Sequence, residues 1–221
     1  MSDASATAGG ARRLAPLALT VIGFVTVGGL WLRRAFAVLG DAVSPALVLA
    51  AGVVYGGWLL VESRVSRRDA ARPVGDADKG TMEMAAAAKL VLLVATLVAP
   101  SSPSFAVGAS GLVIMVLGAA LRLWAVRTLG SRYSHRIRPV EAIVDAGPYA
   151  VIRHPAYLGT WLAHAGLVVV MPSLWSALAL FLAWLPAVVL RVEVEDRFLA
   201  ASPDYAAYAT RVRKKLIPGV Y

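Results

Sequence analysis

The chain has 221 residues, of which 59% are hydrophobic and 16% charged, with a mean hydropathy of +0.70 and a formal net charge of +9. A soluble domain averages about half apolar and a quarter charged, so this composition is that of an integral membrane protein. The lack of cysteine excludes disulfides and thiolate ligands, three histidines (His135, His154, His164) are too few to suggest a metal centre, and basic residues packed between apolar stretches argue for membrane topology over nucleic acid.

The first 13 residues, MSDASATAGGARR, are small and polar and read as disordered. Arg12 and Arg13 then precede an apolar run that continues to Leu32 without a convincing cleavage site, which reads as a retained span. In all, six stretches suit a membrane crossing: 14–32, 43–61, 82–99, 105–126, 155–171 and 174–191. Each is near the ~20 residues that a ~30 Å hydrocarbon core requires. The chain thus divides into a disordered start (1–13), an N-terminal membrane part (14–100) and a C-terminal core (101–221). With the N-terminus in the cytoplasm, 18 of the 22 basic residues collect on that side, which favours the cytoplasmic membrane with both termini inside. Arg33 and Arg34 fall on the opposite side and go against this arrangement.

Lys89 and Arg122 lie within predicted spans, where a cation costs several kcal/mol unless paired or snorkelling. Each has two readings. Lys89 is either functional or a tolerated lysine reaching an interface or Glu83. Arg122, about one turn from the cytoplasmic end, is either a snorkelling side chain or part of a site.

The stretch GPYAVIRHPAYLG, residues 147–159, closes a loop and opens a helix at Pro155, which suits a first helical position. Arg153 and His154 then stand at the positive end of a helix dipole beside unpaired backbone N–H groups, a seat for a carboxylate or phosphate. Only Pro172 and Ser173 separate the last two spans, so they form a tight helical hairpin. Its far end, LRVEVEDRFL, carries Glu193, Glu195 and Asp196, with Arg191 and Glu195 spaced for an intrahelical pair. The hairpin therefore sets a basic corner beside an acidic one, a complement to the head of an amino acid. Beyond it, Ser202 and Pro203 open an amphipathic helix with Tyr205, Tyr208, Val212 and Leu216 on one face, expected on the cytoplasmic membrane surface.

GPYAVIRHPAYLG, the hairpin, EDRFL, DYAAY and LIPG, preceded by LRLWAVRTLGSRYSH, together resemble the isoprenylcysteine carboxyl methyltransferase family and related membrane phospholipid methyltransferases over about residues 108–221. The resemblance implies an all-α membrane enzyme that moves a methyl group from S-adenosylmethionine to a lipophilic small-molecule or prenylated acceptor entering from the lipid. Carried over by position, it implies a cofactor pocket lined by Val144, Gly147, Tyr149, His154 and Tyr157, with Glu195 on the cofactor's polar part and Arg191 as a weaker member. It assigns Arg122 to orienting the acceptor carboxylate; His135 either assists there or, as the preferred reading, faces the cytosol. Asp196 stands where the family usually has glutamate, and Arg132 where eukaryotic members carry an amide. A competing reading is an NADPH-dependent membrane sterol-reductase-like oxidoreductase, which carries a similar GPY…RHPxYxG segment; a scaffold or transporter is a third.

Overall fold

A computed structural model describes residues 25–37, 45–70, 76–101, 103–139 and 142–217. Residues 1–13, expected from sequence to be disordered, the first part of the 14–32 stretch and part of the 62–80 loop lie outside the described residues. Among the described residues the regular structure is entirely helical: α1 (25–37), α2 (Pro45–Ala70), α3 (Thr81–Val98), α4 (Phe105–Leu129), α5 (Pro155–Val170), α6 (Leu174–Leu199) and α7 (Pro203–Arg211).

Four helices are long and apolar enough to cross a membrane, over Pro45–Asp69, Thr81–Val98, Phe105–Arg132 and Leu174–Leu199. Of the expected six, the 14–32 stretch lies partly outside the described residues and 155–171 forms a shorter helix. α5 has 16 residues, a rise of only ~24 Å, and is largely buried by its neighbours. Two predicted ends also move outward: α2 and α6 continue through charged sequence because those charges find partners in the fold, as described below.

The helix ends follow local chemistry. The Ser104 hydroxyl caps α4 by accepting from the Val107 N–H at 3.4 Å, and Ser173 forms a reciprocal capping box with Ser176 at the start of α6. Ala179–Trp184 forms a π-helical bulge just ahead of Pro186, whose missing N–H removes one ordinary helical bond. α7 ends at Arg211 rather than running through Leu216, and Ser202 makes no side-chain cap. Its buried Tyr205 and Tyr208 face the protein.

α4 and α5 form the antiparallel centre of the bundle. Glycines recur two turns apart on each, Gly111 and Gly118 against Gly159 and Gly166, and they let the backbones touch. A Cβ at Gly118 would stand 2.3 Å from the Ala163 nitrogen, and one at Gly159 2.5 Å from the Arg122 nitrogen. Around this seam α2, α3, α4 and α5 share one apolar cluster that contains Tyr55, Trp58, Leu93, Leu97, Met115 and Leu167. α6 packs on α3 through a second cluster with Ala88, Leu92, Trp184 and Val188.

Candidate active site

The loop before α5 makes a short turn, Gly147–Ala150, entered by Gly147 at φ +56°, a conformation that favours glycine. Arg153 and His154 follow, and Pro155 opens α5 as expected. The anion seat is not as the sequence suggested. The Arg153 and His154 backbone N–H groups donate to the Lys214 and Lys215 carbonyls, both at 2.9 Å, so the chain beyond α7 straps over this corner.

Asp196 is the hub beneath that strap. It accepts from Arg153 Nε at 2.9 Å and Nη2 at 3.0 Å, and from the Tyr205 hydroxyl at 2.7 Å, with His154 Nε2 3.2 Å away. The remaining arginine nitrogen, Nη1, donates to the Val212 and Arg213 carbonyls. A charge so surrounded locks α5, α6 and the C-terminal segment together.

Glu195, one residue earlier, turns the other way. Its Oε2 accepts from the Tyr157 hydroxyl at 2.6 Å, and that hydroxyl in turn accepts from Arg191 Nε at 3.0 Å. The Arg191–Glu195 pair expected within the helix does not form. Arg191 Nη1 instead lies 2.8 Å from Asp78 and 2.9 Å from the Thr81 hydroxyl, while Nη2 donates to the His135 carbonyl. Asp78 also accepts from the Ile137 N–H at 3.0 Å, so the segment before α3 is stitched to the 133–138 loop and to α6.

These elements enclose a cavity of about 530 Å³, within the usual range for small-molecule sites. Val144, Tyr149, His154, Tyr157 and Glu195 all line it. Gly147, Arg191 and Arg122 do not: the first shapes the turn, the second aligns Tyr157, and the third stands behind the wall. Sequence reasoning missed Arg138 and Tyr133 on this wall. Arg138 Nε donates to the Ser134 hydroxyl at 3.2 Å, but its Nη2 is buried without a hydrogen-bond partner. Burial raises the phenol pKa of Tyr133 to about 12; burial and the hydrogen bond to Asp196 also push the Tyr205 phenol well up. Both remain protonated hydrogen-bond donors at neutral pH.

Behind Tyr133 and Ala156 lies a second polar cluster. Arg122 grips Glu62 through two bonds, Nε at 2.8 Å and Nη2 at 2.9 Å, and its guanidinium stands 5.2 Å from the Tyr133 ring centroid. Its Nη1 reaches the Ala156 carbonyl at 3.4 Å. The fork that the resemblance assigns to an acceptor carboxylate is thus filled from α2. The signal was an acid one residue past the predicted span end. Asp69, further along α2, accepts from the Ser134 hydroxyl at 3.1 Å and the His135 N–H at 2.6 Å, which explains the helix's extension through charged sequence.

His135 does not face solvent freely. Its ring sits against Tyr133, with Nε2 3.4 Å from Glu62, and burial together with the Arg122 charge lowers its pKa to about 4. The folded imidazole therefore binds its proton less readily than the unfolded one, near 6.5. Stability should be highest above pH 6.5 and fall as pH drops towards 4, by an amount on the order of 3 kcal/mol. Thermal unfolding of the His135→Gln protein should show a flatter profile across that window.

Comparison with known proteins places this geometry in context. Residues 111–201 match the isoprenylcysteine carboxyl methyltransferase (ICMT) family. The chain is 35% identical over 108 residues to the cobalt-zinc-cadmium resistance protein CzcN of Cupriavidus metallidurans, covering 45% of this chain and 46% of that one. It is 32% identical over 108 residues to protein-S-isoprenylcysteine O-methyltransferase B of Arabidopsis thaliana, covering 46% and 55%. A probable protein-S-isoprenylcysteine O-methyltransferase of Oryza sativa subsp. indica is 30% identical over 112 residues, covering 48% and 59%. The chain spans about half the length of the curated relatives it matches.

Proposed function

We propose that this membrane protein, whose residues 111–201 match the isoprenylcysteine carboxyl methyltransferase family, transfers a methyl group from S-adenosylmethionine to a lipophilic acceptor, most simply the carboxylate of an isoprenoid-type acid. The observation that carries the proposal is the cavity at the α5–α6 junction, where a carboxylate at Glu195 and guanidinium groups on the opposite loop line one space.

The residues fit the donor. Glu195 suits an ammonium group, since its carboxylate accepts a hydrogen bond from the Tyr157 hydroxyl and forms no ion pair among the described residues. The orphaned Nη2 of Arg138, with Arg132 beside it on the lining, suits a carboxylate. Ile143, Val144, Leu199 and Tyr149 offer apolar surface for a flat ring. When bound, S-adenosylmethionine supplies an electrophilic methyl group on a sulfonium. The protein's share is alignment and exclusion of water, because an ionised carboxylate acceptor needs no general base. Arg191 acts through Tyr157, holding its hydroxyl on Glu195, and Arg122 acts through the wall, holding Tyr133 and Ala156 in place. The concentration of basic residues at this end of the bundle supports a cytoplasmic site, with the acceptor arriving from the lipid.

Calorimetry on the detergent-purified protein tests this reading. S-adenosylmethionine and S-adenosylhomocysteine should bind with micromolar affinity, and Glu195→Ala should weaken both by about tenfold or more. Binding of NADPH alone would favour the reductase reading and overturn this one.

A further inference from the structure

Asp78 belongs to the charged stretch between α2 and α3, outside the part of the chain that matches the family, residues 111–201. A short turn, Asp76–Asp78, and two residues with positive φ, Lys79 at +47° and Gly80 at +76°, present it just before α3. Left-handed backbone is uncommon for a lysine, so its surroundings must hold this turn in place. The Thr81 hydroxyl closes it by donating to the Asp78 carbonyl at 2.6 Å.

The Asp78 side chain is buried, and so is its partner Arg191. Its Oδ1 lies 2.8 Å from Arg191 Nη1 and accepts from the Ile137 N–H at 3.0 Å, while Oδ2 is 3.7 Å from Arg136 Nη1. Arg191 precedes Glu195 by one helical turn, the spacing of an intrahelical ion pair, and stands within electrostatic reach of it. The two even share a hydroxyl, that of Tyr157, which accepts from Arg191 Nε at 3.0 Å and donates to Glu195 at 2.6 Å. Yet they do not pair. Every nitrogen of Arg191 is occupied elsewhere: Nε by Tyr157, Nη1 by Asp78 and Thr81, and Nη2 by the His135 carbonyl. Among these partners Asp78 alone brings a full negative charge. A buried guanidinium deprived of its counter-charge is costly, and the carboxylate already within its reach is Glu195.

We propose that Asp78 is a positioning residue for the methyl-donor site: by holding Arg191, it keeps the Glu195 carboxylate free for the donor's ammonium group. The inference rests on the methyl-transfer reading above and deepens it, since it identifies what decides which cation Glu195 receives. Arg191 has two arrangements open to it, one that aligns Tyr157 and one that blocks Glu195. The charge on Asp78 selects the first.

Calorimetry on the full-length protein in detergent tests this with two ligands, S-adenosylhomocysteine and 5′-methylthioadenosine, the second of which lacks the amino-acid portion. Asp78→Asn keeps an oxygen for the Ile137 N–H but removes the charge that holds Arg191. It should weaken S-adenosylhomocysteine by about tenfold or more and leave 5′-methylthioadenosine unchanged. Adding Asp78→Asn to Arg191→Met should cause no further loss, because no guanidinium remains to occupy Glu195. Arg136 also loses a partner in Asp78→Asn, but that effect would persist without Arg191. The proposal is overturned if Asp78→Asn leaves S-adenosylhomocysteine binding intact, if it weakens both ligands alike, or if it costs as much beside Arg191→Met as in the wild type. Asp78→Ser replaces Asp78→Asn if the latter does not fold, and the comparison with Arg191→Met decides alone if 5′-methylthioadenosine binds too weakly to measure. Failure of S-adenosylhomocysteine to bind the wild type would instead overturn the methyl-transfer reading itself, and this assignment with it.

Discussion

Replacing Arg122 by alanine should destabilise the protein by about 3–5 kcal/mol, because it strands the Glu62 carboxylate in a place where water cannot reach it. The Glu62 side chain is only 12% exposed, its other contacts are the Trp58 indole and a neutral His135, and Lys89 makes no ion pair with it. Glu62→Ala should cost somewhat less, since the guanidinium keeps the Tyr133 ring and the Ala156 carbonyl. The paired variant Arg122→Met with Glu62→Leu should recover most of the loss, because two apolar side chains of similar volume need no desolvation. Thermal unfolding in detergent, followed by tryptophan fluorescence, gives the coupling from the four proteins. Single variants that each cost under about 1 kcal/mol would mean that the pair is solvated like a surface salt bridge.

Gly118→Leu should be equally damaging, for a steric reason. The added Cβ would meet the Ala163 nitrogen at 2.3 Å and the Gly159 carbonyl oxygen at 2.8 Å, and both are backbone atoms that cannot turn aside. α4 and α5 would have to separate, one turn from Arg122 and from its contact with Ala156. A cost of about 3 kcal/mol or more is expected, at the upper end for overpacking. Gly57→Ala is the matched control: a Cβ there meets nothing within 4 Å, so the change should be neutral or stabilising by up to about 1 kcal/mol. If both variants melt alike, the glycine seam is not what holds the two helices together.

The same two cases show where sequence and structure divide. Composition determined the membrane class, because burying so many apolar residues in a chain this short without a bilayer is not feasible, and the four spanning helices agree. Local signals were also sufficient for the start of α5 at Pro155 and for the hairpin at Pro172 and Ser173, since prolines and caps act over a few residues. The hairpin in turn made it legible that His154 and Glu195 approach one space, a consequence of connectivity alone. Charge partners were not legible. Glu62 lies 60 residues from Arg122 and Asp78 lies far from Arg191, and no periodicity links such positions. The intrahelical pairing of Arg191 with Glu195, open by spacing although in the less favourable order, lost to a carboxylate that the fold delivers at 2.8 Å in a drier setting. The strap that occupies the Arg153 and His154 N–H groups was hidden for the same reason: its carbonyls arrive from residues 214 and 215 only after α7 has turned the chain back. Sequence thus determined which segments enter the membrane and where they turn, through short-range sterics and hydrophobicity. Tertiary structure decided which charges are paired, because in a low-dielectric interior that choice depends on distances between helices.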